Sequence, residues 1–207
     1  MLIVKVKICG LTNYKDTAAA IDMGADLLGF NFYPKSPRYI TPEDAAKIIS
    51  KLPAFIDIAG VFVNEPFEKI HEIRSLCSLN WVQLHGDEDP EFCNGFRSHE
   101  VKVMKAIRVK DQRDVESAED FFTDAILLDA FDPNKYGGTG ISFDWNIVGH
   151  INKRIFLAGG INPDNAAKAV ELGVYGIDIC SGIESSPGKK DHELMKKLFE
   201  NIHHLRG

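Results

Sequence analysis

With 207 residues, 44% of them hydrophobic, the chain can bury one sizeable core, so a single globular domain over residues 1–207 is expected. A net charge of −6 without a basic run argues against nucleic acid or an anionic membrane surface as the main partner. No signal-peptide pattern and no apolar stretch of bilayer length stand out. Cys9, Cys77, Cys93 and Cys180 also lack the short paired spacings of zinc or CxxC sites, so free thiols in a reducing cytoplasm are expected.

The first strand alternates Val4, Val6 and Ile8 with Lys5, Lys7 and Cys9, which puts the thiol on one face with two ammonium groups. Gly10 lets the chain turn, and Asn13 can cap a helix over Tyr14 to Met23. Leu27 to Phe32 reads as a strand buried on both faces, followed by a proline-bearing loop from Tyr33 to Tyr39. Thr41-Pro42-Glu43-Asp44 opens a second helix that runs to about Lys51. Ile56 to Val63 is a third strand, closed by Asn64, and Glu65 to Leu76 a third helix. Trp81 to Leu84 then repeats the opening design: a strand delivers a functional side chain, here His85, followed by Gly86.

Asp89-Pro90 opens a fourth helix, Val101 to Ile107 forms a fifth strand, and Asp111 to Asp120 a further helix. The sixth strand, Ala125 to Asp129, ends in a carboxylate and leads into a long loop from Phe131 to Gly140. A helix over Asp144 to His150 and a strand over Arg154 to Ala158 follow. Gly159-Gly160-Ile161-Asn162-Pro163 reads as a glycine pair with a capped helix start. Gly176 to Ile179 is the eighth strand, ending at Cys180-Ser181-Gly182, and Asp191 to His204 a final amphipathic helix.

Eight alternations of strand and helix in a chain of this length predict an α/β fold, a single (β/α)₈ TIM barrel with parallel strands. An open doubly wound sheet is the alternative, but Gly10-Leu11-Thr12-Asn13 lacks its Gly-rich dinucleotide turn. In a barrel the catalytic groups sit where strands end at the C-terminal face, which gathers Cys9, His85 and Asp129 on one rim. Gly159-Gly160 and Ser181-Gly182 follow the last two strands, the usual place for a phosphate held by backbone N–H groups. A small phosphorylated substrate is therefore expected.

Cys9 and Asp129 on strands one and six would set a thiol and a carboxyl on either side of a small ligand, a pair suited to proton transfer. A thiol with an ordinary pKa of about 8.5 becomes a usable base when nearby positive charge stabilises the thiolate. A carboxyl desolvated by its apolar strand can stay protonated and act as an acid; without Cys9 opposite, Asp129 would read as a carboxylate that merely caps its loop. Arg38 is a candidate for a substrate carboxylate, with an ordinary surface arginine as the alternative. His85 either orients the ligand or is a satisfied structural histidine. Lys7 and Asp178, on the strands that close the barrel, are expected to form a buried ion pair with a structural role.

At these residues the sequence resembles the phosphoribosylanthranilate isomerase family of tryptophan biosynthesis. Lys7-Ile8-Cys9-Gly10-Leu11-Thr12, Gly29-Phe30-Asn31-Phe32 with the loop to Ile40, Gly60 to Asn64, Val82-Gln83-Leu84-His85-Gly86, Leu127-Leu128-Asp129, Gly137 to Gly140, Ala158-Gly159-Gly160-Ile161 and Asp178 with Ser181-Gly182-Ile183-Glu184 match its segments in order. The resemblance implies an Amadori rearrangement of aldose to ketose, N-(5-phosphoribosyl)anthranilate to 1-(2-carboxyphenylamino)-1-deoxyribulose 5-phosphate, with no cofactor and no metal. It puts the general base on Cys9, the general acid on Asp129 and the anthranilate carboxylate on Arg38. The Tyr136 to Gly140 loop, with Gly137 and Gly138, would cover the site. One departure is visible: Cys180 stands where many relatives would carry serine.

Two other readings compete. A Schiff-base aldolase or lyase would use Lys105 near the end of strand five. A phosphate-ligand binding module would show affinity without turnover. The assembly is left between a homodimer and a monomer.

Overall fold

The computed structural model describes residues 3–98, 100–132, 137, 143–149 and 151–206. Eight parallel strands close into a barrel in sequence order: β1 (Lys5–Cys9), β2 (Leu27–Asn31), β3 (Asp57–Phe62), β4 (Trp81–Leu84), β5 (Lys102–Val109), β6 (Ala125–Ala130), β7 (Ile155–Leu157) and β8 (Gly176–Ile179). Lys7 pairs in register with Asp178, and that β1–β8 seam closes the ring. Outside it lie α1 (Tyr14–Asp22), α2 (Pro42–Ile49), α3 (Phe67–Cys77), α4 (Pro90–Asn94), α5 (Gln112–Glu116), α6 (Ala166–Glu171) and α7 (His192–Arg206). The chain is a single (β/α)₈ barrel, as the alternation predicts.

Caps set several of the helix starts. Asn13 accepts a hydrogen bond from the Asp16 N–H through its side-chain oxygen, and Thr41 does the same for Asp44, with Pro42 at the first helical position. Asp111 and Asp114 form a reciprocal capping box on α5.

Three expected helices are shorter than the sequence pattern suggests. The segment from Asp111 to Asp120 divides into α5 and a 3₁₀ turn over Ser117–Asp120. Of the expected helix from Asp144 to His150, the described residues form one 3₁₀ turn over Trp145–Val148, and Gly149, at φ +56, leaves the helical region; His150 lies outside the described residues. Asn162-Pro163 does not begin a helix. The Asn162 side chain accepts from the Asp164 N–H and the Asn165 side chain from the Asn162 N–H, so a side-chain-bonded turn delays α6 to Ala166. A hairpin of β9 (Glu184–Ser186) and β10 (Lys189–Lys190) between β8 and α7 was not expected at all. Gly188, at φ +79, makes its turn and accepts the Thr12 hydroxyl at 2.5 Å through its carbonyl.

Strand parity sorts the interior. Outward-facing residues such as Val6, Ile8, Leu28 and Ile126 meet the helices in a continuous outer core. Inward-facing Leu27, Trp81, Met104, Leu127 and Phe156 fill the barrel itself, each such side chain contributing about 1.5–3 kcal/mol by leaving water. Leu27 and Trp81 begin their strands, so this apolar plug lies toward the strands' N-terminal ends. The polar inward residues are therefore left to the opposite face.

Candidate active site

At the C-terminal face the strand ends surround a narrow pocket whose lining includes Cys9, Arg38, His85, Asp129, Gly137, Gly159, Gly160 and Ser181. Gly182 lies just behind it: a Cβ there would come within 2.0 Å of the Ile161 carbonyl oxygen, so its hydrogen lets the turns after β7 and β8 meet. Gly138 and most of the loop from Tyr136 to Gly140 lie outside the described residues.

Cys9 closes β1 with its thiol turned inward above Lys7. The expected ion pair is present, with Lys7 Nζ 2.9 Å from Asp178 Oδ1 and the lysine fully buried. Burial works against the Lys7 charge, but Asp178 and Cys9 outweigh it and hold the ammonium above its ordinary range. Burial also pushes Asp178 up to about 7. Beside Cys9 lies a second thiol. A hydrogen bond with Cys180 holds the Cys9 thiol well below its ordinary value, against the opposing effect of burial, with Lys7 and Lys190 adding positive charge. The pair at the barrel seam thus has an electrostatic part to play in addition to the structural one, because it brings an ammonium beneath the thiol.

Gly10 makes this corner possible. At φ +75 it turns the chain after β1, and a Cβ on it would lie 2.6 Å from Arg38 Cδ and 3.0 Å from Cys180 Sγ. Arg38 is buried rather than a surface arginine. Its Nε donates to both Glu184 oxygens at 3.0 Å and a terminal nitrogen donates to Oε2 at 2.7 Å. Glu184 also accepts from Lys190 Nζ at 2.8 Å. Two cations share one carboxylate, and a positive charge is left over next to the thiols.

Across the pocket, Asp129 ends the inward face of β6. Its Oδ1 accepts from the Ala130 N–H at 2.9 Å and its Oδ2 lies 3.3 Å from His85 Nε2. Gln83, two residues before His85 and on the same face of β4, places its amide nitrogen 2.8 Å from His85 Nδ1. With that amide donating, the ring proton belongs on Nε2, the nitrogen next to Asp129. Among the described residues, His85 Nε2 and Gln83 Oε1 are buried without a well-aligned hydrogen-bond partner. Both are polar atoms ready for a ligand. A Cβ on Gly137 would lie 2.9 Å from Asp129 Oδ2 and 3.1 Å from His85 Nε2, so only glycine lets the loop after β6 settle on this pair.

The turn after β7 also depends on backbone freedom. Gly159 and Gly160 have φ +82 and +69, and a Cβ on Gly159 would come within 2.8 Å of the Ala130 nitrogen.

Lys105 lies elsewhere. It faces outward from β5, donates to Gly86 O at 2.8 Å and pairs with Glu88 at 2.7 Å, and it does not line the pocket. The Schiff-base reading fails because strand parity turns this amine toward α4. Sequence reasoning gave no role to Gln83 or Lys190. The period-two rule could have found Gln83 from His85. Lys190 arrives on a hairpin that no sequence pattern announced.

Comparison with known proteins bears on the chain as a whole. The family model for N-(5'-phosphoribosyl)anthranilate (PRA) isomerase matches residues 6–201. The N-(5'-phosphoribosyl)anthranilate isomerase of Trichlorobacter lovleyi is 46% identical over 205 residues, covering 96% of this chain and 97% of its own. A crystal structure of monomers generated from the dimeric phosphoribosylanthranilate isomerase of Thermotoga maritima superposes with a TM-score of 0.87 at 40% identity, covering 98% of this chain and 100% of that one. A phosphoribosylanthranilate isomerase solved in complex with reduced 1-(o-carboxyphenylamino)-1-deoxyribulose 5-phosphate gives a TM-score of 0.84 at 40% identity over the same shares. The fold and the match along nearly the whole length agree: the chain belongs to the N-(5'-phosphoribosyl)anthranilate isomerase family and is an isomerase of tryptophan biosynthesis.

Proposed function

We propose that the pocket rearranges N-(5-phosphoribosyl)anthranilate to 1-(2-carboxyphenylamino)-1-deoxyribulose 5-phosphate with Cys9 as general base and Asp129 as general acid, the whole chain serving as one catalytic domain. The observation that carries this reading is the placement of a thiol held toward thiolate and a carboxyl on β1 and β6, facing one pocket.

Asp129 gives a proton to the ribose ring oxygen and opens the sugar to an iminium. The C2 hydrogen becomes acidic, and Cys9 removes it while Lys7 and Lys190 favour the thiolate. The enolamine that results tautomerises to the ketone. His85 Nε2 stands 3.3 Å from the Asp129 carboxyl, facing the ligand beside it, and Gln83 fixes the ring. Glu184 occupies one edge of the Arg38 guanidinium; the anthranilate carboxylate takes another. The turns at Gly159-Gly160 and Ser181-Gly182 hold the phosphate, and the loop bearing Gly137 and Gly138 covers the site. The four free thiols suit a reducing cytoplasm. The dimeric Thermotoga maritima relative supports a homodimer here, which sedimentation against a monomer mass of 23.1 kDa tests.

The deciding experiment follows the fluorescence of freshly generated phosphoribosylanthranilate with the wild type, Cys9→Ser and Asp129→Asn. Each substitution is expected to lower turnover about 10²–10⁴-fold with the circular dichroism spectrum intact. A wild type that binds the substrate and leaves it unchanged would replace this reading with a phosphate-binding module.

A further inference from the structure

Cys9 and Cys180 meet at the seam of the barrel. Lys7 pairs with Asp178 and Ile8 with Ile179 across β1 and β8; the pairing ends there, and the residue that follows on each side is a cysteine lining the pocket. Neighbouring strands stand about 4.8 Å apart, inside the Cα separation of about 4.4–6.8 Å that a disulfide spans. Both thiols are free and line the same corner of the pocket, the Cys180 sulfur packed against Gly10 and the Cys9 sulfur against Gly29. The isomerisation uses one of them as its base and asks no chemistry of the other. We propose that Cys9 and Cys180 form a reversible oxidation site: a peroxide small enough to enter the pocket oxidises Cys9, and Cys180 closes a disulfide that removes the base and switches the enzyme off.

The steps balance. The Cys9 thiolate attacks one peroxide oxygen; the S–O bond forms, the O–O bond breaks, and the departing hydroxide leaves as water after taking a proton. Cys180 then attacks the Cys9 sulfur. The S–S bond forms, the S–O bond breaks, and the second hydroxide takes the Cys180 proton and leaves as water. Two thiols have lost two electrons and two protons, and the peroxide has become two waters.

The surroundings favour this order. Lys7 and Lys190 stabilise the thiolate on Cys9, which makes it the first nucleophile. Cys180 is held well above its ordinary value first by its hydrogen bond with Cys9 and by burial, while Lys190 and Arg38 pull the other way. Once Cys9 is a neutral sulfenic acid the negative charge beside Cys180 is gone, and the two cations remain to ease its deprotonation. The other cysteines are poor competitors. Cys77 and Cys93 sit on α3 and α4 outside the pocket, their thiols pushed up by burial to about 11 and about 12.

The activity part of this proposal rests on Cys9 being the base; the mass part does not. Wild-type protein without substrate is treated with hydrogen peroxide, and intact mass, tryptic peptides and residual turnover are read before and after dithiothreitol. The expected result is a loss of about 2 Da, a peptide linking Cys9 to Cys180, loss of most turnover, and recovery on reduction. In Cys180→Ser, scored against its own untreated activity, Cys9 should gain about 32 Da as the sulfinic acid and turnover should not return. Oxygen added at Cys9 of the wild type with no linked peptide, or all thiols left free, overturns the proposal without any variant. A disulfide that forms while turnover persists overturns the switch and also removes Cys9 from the role of base.

Discussion

Two buried lysine–carboxylate pairs on neighbouring surfaces of the same barrel show how much the face of a strand decides. Lys7 and Asp178 meet at 2.9 Å inside the barrel; Lys105 and Glu88 meet at 2.7 Å outside it, between β5 and α4. Both lysines are buried. The inner pair lies under Cys9, and its ammonium favours the thiolate. The outer pair is a knot of backbone: Lys105 also donates to Gly86 O, while Glu88 accepts from the N–H groups of Asn64 and Gly86, tying together the loops after β3 and β4. A buried ion pair by itself is weak evidence for either stability or function; here the neighbour of each pair decides its role.

Removing one lysine at a time is the strongest way to break this comparison. Lys7→Met should lower turnover by at least about 10²-fold at neutral pH, because the thiolate loses the cation beneath it. The stability loss should lie near the lower end of the range of about 3–5 kcal/mol for a broken buried pair. Burial already pushes Asp178 up to about 7, so once unpaired it can take up a proton rather than remain a stranded anion. Adding Asp178→Leu should recover stability without recovering turnover. A double variant as active as the wild type would show the inner pair to be structural only.

Lys105→Met should be the more selective change. Glu88 keeps two backbone donors but loses its cation, and a stability loss of about 3 kcal/mol is expected by urea denaturation. Turnover per folded molecule and its pH dependence should stay where they were. A large loss of kcat in the folded variant would return Lys105 to the chemistry and undo the parity argument.

That parity was legible in the sequence at strand ends. The alternation of Lys5, Lys7 and Cys9 with Val4, Val6 and Ile8, and the carboxylate at Asp129, sufficed to place a thiol and a carboxyl on one rim. The same rule, carried two residues back from His85, would have found Gln83. What stayed hidden depends on tertiary geometry. Glu184 reaches Arg38 across 146 residues of chain, and Lys190 reaches Glu184 only because β9 and β10 fold back as a hairpin. Helix lengths were misread for a local reason: Asn162 and Asn165 bond their own backbone and hold off α6, a competition that hydrophobic periodicity does not register.

The finest test of the inner region concerns the second thiol. The hydrogen bond with Cys180 is the largest influence holding the Cys9 thiol below its ordinary value. A base with a lowered pKa remains deprotonated at pH values where a free thiol would be protonated, so the acid limb of kcat/KM should lie well below the ordinary thiol pKa of about 8.5. Cys180→Ala removes the donor and leaves Lys7 and Lys190 in place. The Cys9 pKa then rises, the acid limb moves to higher pH, and the plateau at higher pH, where Cys9 is ionised in either protein, changes least. Cys180→Ser keeps an O–H donor at the same point and should fall between the two. If the limb of Cys180→Ala stays with that of the wild type, the thiolate is held by the lysines alone, and the contrast between the inner and outer pairs becomes sharper than the thiol contact suggests.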